Sequence, residues 1–135
     1  MKCAHTHTDP ILLLSQNGIR PTKIRKAIVG LLFDGHDKHV SVDDVIGMAR
    51  ASDIKTSVAS VYNTLNHFTD AGLLRRITMD GGRTFFDTNL SEHHHYYFED
   101  EERLEDIPQG VMKLQGLPKL PFGRRIKSVG IIIRV

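Results

Sequence analysis

Apolar residues in the first half of the chain recur at the three- and four-residue spacing of an α-helix. This spacing predicts a short helix between Asp9 and Gly18, a second helix after Thr22 and a third after Ser41. Asp, Thr and Ser cap the first turn of a helix, and Gly suits the turn that ends one. The first half is therefore expected to be mainly helical.

A fourth helix is predicted over residues 57–71. Val58, Val61, Leu65 and Phe68 are spaced three, four and three residues apart and form one apolar stripe. The opposite face is small and polar and contains no Glu, whereas a merely solvated helix more often carries Glu–Lys pairs. This outer face is a candidate binding surface.

Two β-prone runs follow at residues 73–79 and 83–87, joined by Asp80-Gly81-Gly82, and they predict a hairpin. Helices followed by such a hairpin are typical of a winged helix-turn-helix. That motif places its second helix in the major groove of DNA.

The second half is predicted to be β-rich, with strands over 93–98, 103–107 and 126–135. Pro118 and Pro121 argue against a long helix between the last two strands, where only a short interface helix is expected. The predicted class is α+β: a winged helix-turn-helix domain over 1–87, with residues 1–8 expected to be disordered, and a small β-rich dimerisation domain over 88–135.

Composition and charge narrow the function classes. The 135 residues are 40% apolar and 25% charged, with a formal net charge of +2, which excludes a histone-like polycation but permits a local basic patch. No apolar run approaches the length of a membrane span, and no secretory signal is apparent. Cys3 is the one cysteine, so neither an internal disulfide nor a structural zinc site built from four cysteines is expected. We expect a cytoplasmic protein.

Charge is distributed unevenly. Residues 1–87 contain no Glu and have 11 Lys and Arg against 9 Asp, whereas residues 99–106 hold six acids and one Arg. The basic side chains flank the fourth helix, which we predict to be the DNA-recognition helix. They are candidates for contacts to DNA phosphates, which supply affinity with little sequence information. The candidates are Arg20, Lys23, Arg25, Arg76 and Arg83.

Four side chains lie in the first two turns of the fourth helix, where this docking mode meets base edges: Ser57, Ser60, Tyr62 and Asn63. An Asn amide pairs with adenine in two hydrogen bonds, and an aromatic side chain packs on the thymine methyl. The residue types therefore predict an A·T-rich operator.

Three consecutive histidines begin the first strand of the second half. Residues two apart share one face of a strand, so His93 and His95 converge while His94 points away. Two imidazoles on one face form half of a site for a transition metal. The neighbouring Tyr96, Tyr97 and Phe98 supply flat apolar surface, which suits haem equally well.

Several motifs together resemble the ferric uptake regulator (Fur) superfamily over about residues 15–135. They are Arg20-Pro21-Thr22 with Arg25, His39-Val40-Ser41 with Asp43-Asp44, Ser60-Val61-Tyr62-Asn63-Thr64-Leu65, Ala71-Gly72-Leu73, the Gly-Gly hairpin and the His-rich strand. The resemblance implies that His39, Asp87 and Asp106 complete the ligand set of His93 and His95. It also implies a homodimer on a palindromic operator, with ligand occupancy setting the geometry of DNA binding.

Within the superfamily the sequence is most similar to the haem-responsive branch, the iron response regulators of α-proteobacteria. Asn63 and the pattern Phe86-Asp87-Thr88-Asn89 with Ser91-Glu92-His93-His94-His95 carry this likeness, while the Cys-x-x-Cys pairs of most relatives are missing. The branch implies control of iron and haem genes, His93, His94 and His95 at the haem site, and a haem-delivering partner. Haem, Fe²⁺, Mn²⁺ and Zn²⁺ all stay open as the ligand.

Two other functions remain open at this point. A small metalloenzyme could use the His strand, but the sequence has no His-Glu-x-x-His, Gly-x-Ser-x-Gly or P-loop motif, and we predict no enzymatic activity. A plain DNA-binding repressor could carry a His cluster that binds nothing.

Overall fold

The computed structural model of the chain describes residues 9–135, so the disorder expected for residues 1–8 lies outside the described residues. The described residues divide into two compact units, with the division between Leu90 and Ser91. The mixture of helices and sheets confirms the α+β class.

The four predicted helices are all present in the first unit. They are α1 (Pro10–Gln16), α2 (Lys23–Leu32), α3 (Val42–Ala51) and α4 (Val58–Asp70). None of the helices among residues 9–135 is both long and apolar enough to cross a membrane.

One apolar core holds the helices of the first unit together. Its largest fully buried members include Phe68, Phe86 and Leu14, from α4, the following sheet and α1. Each large side chain removed from water stabilises the fold by about 1.5–3 kcal/mol. This core makes α4 a fixed element on which exposed side chains can be placed accurately.

The start of α3 has a capping box. The Ser41 hydroxyl accepts a hydrogen bond from the Asp44 backbone N–H at 3.1 Å, and the Asp44 carboxylate accepts one from the Ser41 N–H at 2.9 Å. Both donors would otherwise lack a partner in the first turn of the helix.

We expect Ser41→Ala to lower the free energy of unfolding by about 1 kcal/mol, because the Asp44 N–H loses its acceptor. Urea unfolding followed by circular dichroism measures the loss. Ser15→Ala, at an exposed serine of α1, is the matched control and should change stability by less than about 0.5 kcal/mol. Equal stability of the two variants would contradict a stabilising cap.

A three-stranded antiparallel sheet completes the first unit. Its strands are β1 (His39–Val40), β2 (Arg75–Thr78) and β3 (Thr84–Asp87), in the order β1-β3-β2. A short turn at Asp80–Gly82 joins β2 to β3, and Gly81 and Gly82 there have φ of 85° and 86°, the left-handed region that glycine adopts readily. The predicted hairpin is confirmed; β1, which was not predicted, extends it.

The second unit contains a separate three-stranded sheet with the order β5-β4-β6. Its strands are β4 (His95–Phe98), β5 (Arg103–Asp106) and β6 (Ile132–Arg134), with β6 parallel to β4. All three predicted strands exist, but the last is much shorter than 126–135. Residues 107–131 form neither helix nor strand, so the expected short interface helix is wrong. Pro118 and Pro121, together with three glycines at positive φ, break this segment too often for a helix.

The second unit has a small core. Within residues 91–135 the buried apolar side chains are Leu104 and Ile107. Many large apolar side chains there are exposed instead: Val111, Leu114, Leu117, Leu120, Phe122, Ile126, Ile133 and Val135. Such an unburied apolar surface on a 45-residue unit is typical of an interaction surface.

Candidate nucleic-acid interface and metal ligands

The start of α4 presents the four side chains that the sequence predicted as base contacts. Ser57 is the N-cap, and its hydroxyl accepts a hydrogen bond from the Ser60 backbone N–H at 3.1 Å. Ser57, Ser60, Tyr62 and Asn63 are all exposed, and 54% of Tyr62 is accessible. Their exposure on a helix with a buried opposite face leaves them available to a ligand.

The buried face of α4 differs from the predicted stripe at one position. Val61, Leu65 and Phe68 are fully buried, but Val58 is 61% exposed and Thr64 is buried in its place. Placing Val58 in the apolar stripe was wrong. The Thr64 hydroxyl donates to the Ser60 carbonyl at 2.7 Å, and this bond removes the cost of burying a polar group.

Val58 therefore joins the exposed side of α4, one helical turn before Tyr62. The two form a small apolar surface beside the polar Ser60 and Asn63. Sequence reasoning missed Val58 as a candidate contact because its spacing fits the buried stripe as well as the exposed face.

The five predicted phosphate contacts fall into two groups. Arg20 and Lys23, which immediately precede α2 or begin it, are exposed. Arg25 and Arg76 are engaged within the chain, Arg25 with the Arg20 carbonyl and the His67 ring and Arg76 with the Asn66 side chain. Arg83 lies with its guanidinium 5.5 Å from the centre of the Phe85 ring.

The second unit brings three of the predicted metal ligands together. His93 Nε2 lies 3.0 Å and His95 Nε2 lies 3.4 Å from the same carboxylate oxygen of Asp106. One ligand atom from each of the three residues lies within 4.8 Å of the others. The two imidazole rings are 4.4 Å apart, centre to centre, which confirms that His93 and His95 share a face.

The sheet explains this arrangement. His95 and Asp106 are directly paired residues of β4 and β5, so their side chains emerge side by side. The His95 and His93 side chains are 8% and 4% exposed, and Asp106 is 34% exposed. Nitrogen and carboxylate donors at this separation fit a divalent transition metal such as Mn²⁺, Fe²⁺ or Zn²⁺.

A backbone contact orients the His93 ring. His93 Nδ1 lies 2.6 Å from the Ser91 carbonyl oxygen, which can only accept, so Nδ1 carries the proton. The Nε2 lone pair of the neutral ring is then directed toward the Asp106 carboxylate and is available to a metal cation. A metal-binding His is commonly held by such a bond from its other nitrogen. Sequence reasoning missed Ser91 because a carbonyl leaves no signal in residue type.

In the first unit, His39 and Asp87 form a second pair. They are directly opposite each other on β1 and β3, and His39 Nε2 lies 3.3 Å from Asp87 Oδ2. Asp87 is fully buried, and its other oxygen accepts from the Asn89 N–H at 2.8 Å. A buried carboxylate held by one imidazole and one amide is a positioned donor for a cation.

His94 has a different role from its neighbours. Its Nδ1 accepts a hydrogen bond from the Ile131 backbone N–H at 3.1 Å, at the end of the segment that leads into β6. This contact agrees with the prediction that His94 points away from the face shared by His93 and His95.

The sequence profile of the ferric uptake regulator family matches residues 16–114 of the chain. The chain belongs to this family. Its members are transcription regulators, and the chain is similar over 81 residues, at 33% identity, to the ferric uptake regulation protein of Rhizobium leguminosarum bv. viciae. That match covers 60% of the chain and 56% of the relative, so the chain spans little more than half of that relative's length.

Solved structures of family members have the same fold. The ferric uptake regulator of Vibrio cholerae aligns with a TM-score of 0.76 and 19% identity, over 94% of this chain and 98% of that one. The regulator of Pseudomonas aeruginosa, whose structure was solved with manganese, aligns with a TM-score of 0.71 and 20% identity, over 95% of this chain and 97% of that one. At these identities the similarity shows the fold alone.

Proposed function

We propose that this protein is a metal-responsive transcription regulator that binds operator DNA with the start of α4 in the major groove. The observation that carries the proposal is the exposed row at the start of this helix: Ser57, Val58, Tyr62 and Asn63, held on a rigid core. A recognition helix in a winged helix-turn-helix contacts bases with its first turns.

We propose an A·T-rich operator from the chemistry of this row. The Asn63 amide offers one donor and one acceptor, which match the major-groove edge of adenine. Val58 and Tyr62 offer exposed apolar surface, which matches the methyl group of thymine. Exposed Arg20 and Lys23 are proposed to contact the flanking phosphates.

We further propose that the protein acts as a homodimer through residues 91–135, in the cytoplasm where its DNA lies. The exposed apolar side chains of this unit and its small core support a surface completed by a second copy. A two-fold dimer would read a palindromic operator, because the symmetry of the site mirrors that of the protein.

The proposed effector is a divalent metal ion, for which each unit carries its own set of donors. His93, His95 and Asp106 supply three donors in one unit, and His39 and Asp87 supply two in the other. Binding of the ion is proposed to change the affinity for the operator.

Haem is a second candidate effector, supported by a cleft beside the same histidines. The cleft has a volume of about 640 Å³, and His93 and His94 line it together with apolar Leu114, Leu117 and Ile126. Imidazole beside apolar walls suits haem. Under this alternative the protein belongs to the haem-responsive branch, controls iron and haem genes and receives haem from a delivering protein.

One experiment tests the proposal in steps. Selection from a random duplex library, with and without Mn²⁺, defines the preferred DNA sequence. We expect an A·T-rich inverted repeat, and light scattering at micromolar concentration should give the mass of a dimer. A selection without enrichment would contradict sequence-specific DNA binding, and a strictly monomeric protein would contradict the dimer.

Titration with Mn²⁺, Zn²⁺ and haem, followed by DNA-binding measurements, then separates the effectors. Metal binding that is lost on His93→Ala supports an ion at His93, His95 and Asp106, and metal binding that is lost on His39→Ala supports an ion at His39 and Asp87. Absence of Mn²⁺ and Zn²⁺ binding by the parent would contradict a metal effector. A response to haem alone would favour the second candidate.

A further inference from the structure

Two adjacent side chains near the end of α4, Asn66 and His67, each receive a guanidinium from another element. Arg76 of β2 donates from Nη2 to the Asn66 side-chain oxygen, and Arg25 of α2 lies with Nη2 3.1 Å from His67 Nδ1. Arg has only donors, so His67 Nδ1 is the acceptor and the neutral His67 ring carries its proton on Nε2. The β2–β3 hairpin and α2 are thus both hydrogen-bonded to one turn of α4.

Each arginine is fixed at a second point. Arg25 Nη1 donates to the Arg20 backbone carbonyl at 2.8 Å, which ties its guanidinium to the loop before α2. The Arg76 guanidinium lies 5.8 Å from the centre of the buried Phe86 ring on β3. The planar guanidinium fork can donate to two separate acceptors at once, and in both arginines it joins α4 to a second element.

We propose that Arg25 and Arg76 are positioning residues of the DNA-reading unit. Through His67 and Asn66 they adjust the orientation that the core gives α4 relative to α2 and the β2–β3 hairpin, and so influence which bases Tyr62 and Asn63 contact. The proposal rests on the proposed DNA-binding function. It assigns these two arginines to sequence discrimination, whereas exposed Arg20 and Lys23 supply charge to the backbone.

The test compares Arg25→Lys, His67→Leu and His67→Gln in the full-length protein, using the duplex recovered by selection and a scrambled duplex of the same composition. Lys keeps the charge but cannot donate to two separate acceptors from one rigid fork. We expect Arg25→Lys and His67→Leu to lower the ratio of specific to non-specific affinity by about tenfold, the scale of one misplaced base contact. His67→Gln, which restores an acceptor, should recover most of the loss.

The salt dependence of binding separates positioning from phosphate contact. Loss of one phosphate contact reduces the slope of log K against log salt by about 0.9. We expect the slope to be unchanged for His67→Leu and Arg25→Lys. Matched controls are His36→Leu and Arg50→Lys, at exposed residues outside these contacts, which should leave the affinity ratio unchanged. A reduced slope with an unchanged ratio would overturn the proposal.

A readout without DNA keeps this outcome separate from failure of the proposed function. In ¹⁵N NMR spectra the His67 ring should show the Nε2–H form in the parent, and Arg25→Ala should shift the signals of both ring nitrogens. Unchanged ring signals would show that the Arg25–His67 contact does not exist in solution and would overturn the proposal. If the ring signals shift but the parent selects no DNA sequence, the Arg25–His67 contact exists in solution but the protein does not bind DNA sequence-specifically. That result would overturn both the proposed function and the positioning role.

Discussion

A protein in which His93 and His95 are both replaced by alanine should bind Mn²⁺ at least about 100-fold more weakly than the parent. Loss of a single outer partner of a metal ligand already weakens binding by about 10- to 100-fold, and here two direct donors disappear. The Asp106 carboxylate, which both rings face at 3.0 and 3.4 Å, would remain as the one donor of the three. Isothermal titration calorimetry measures the affinity.

The DNA-binding consequence is as important as the affinity. The double variant should still bind non-specific DNA like the parent, because α4 is unchanged, but added Mn²⁺ or haem should no longer alter operator binding. For the Mn²⁺ response His94→Ala is the matched control, since His94 accepts a backbone N–H and lies apart from the Asp106 contact. A double variant that responds to either effector like the parent would show that the His strand is not the sensor.

Asp106→Asn, Asp87→Asn and His39→Ala should weaken metal binding less than the double replacement, because each removes one donor. Among them the effect of Asp87→Asn is informative. This buried carboxylate already has an imidazole and an amide as partners, so its loss also removes the group that holds His39 in place.

Tyr62→Ala and Asn63→Ala should each weaken operator binding by about 1–3 kcal/mol, or roughly 5- to 150-fold. Both side chains are exposed at the start of α4, so their removal takes away contacts to bases without opening a cavity in the core. Fluorescence anisotropy with the selected duplex measures the affinity, and circular dichroism shows that the fold is retained.

The control for these two variants is Asp70→Ala, at an exposed residue of the opposite end of α4. Its effect on the ratio of specific to non-specific affinity should be small. An equal loss on selected and scrambled DNA for Tyr62→Ala or Asn63→Ala would mean that these residues do not read sequence.

Local sequence was sufficient to predict the helices and the convergence of two histidines. A helix is selected by apolar spacing and caps within about ten residues, and Ser41 with Asp44 forms the box that their spacing predicts. Alternation along a strand likewise places His93 and His95 on one face. Neither result depends on the rest of the chain.

The spacing of apolar residues did not predict the buried face of α4 correctly, because two faces of the helix fit that spacing equally well. Val58 fits the apolar stripe of α4 but is exposed, and Thr64 is buried with its hydroxyl donating to the Ser60 carbonyl. The packing of α2 and α3 against α4 decides which of the two enters the core. In residues 107–131 the expected short helix fails for a local reason, since Pro residues and positive-φ Gly residues interrupt the segment repeatedly.

The sequence by itself determined the helices, the hairpin, the β-rich second half and the residue types from which a reading helix and a metal site could be made. Only the tertiary structure decided that His39 lies opposite Asp87, that Asp106 faces both histidines and that Arg25 and Arg76 are bonded to α4. The physical reason is the distance along the chain over which each interaction acts. Periodicity and capping act between residues within a few turns, whereas these pairings depend on strand register and helix packing between segments that are distant in the chain.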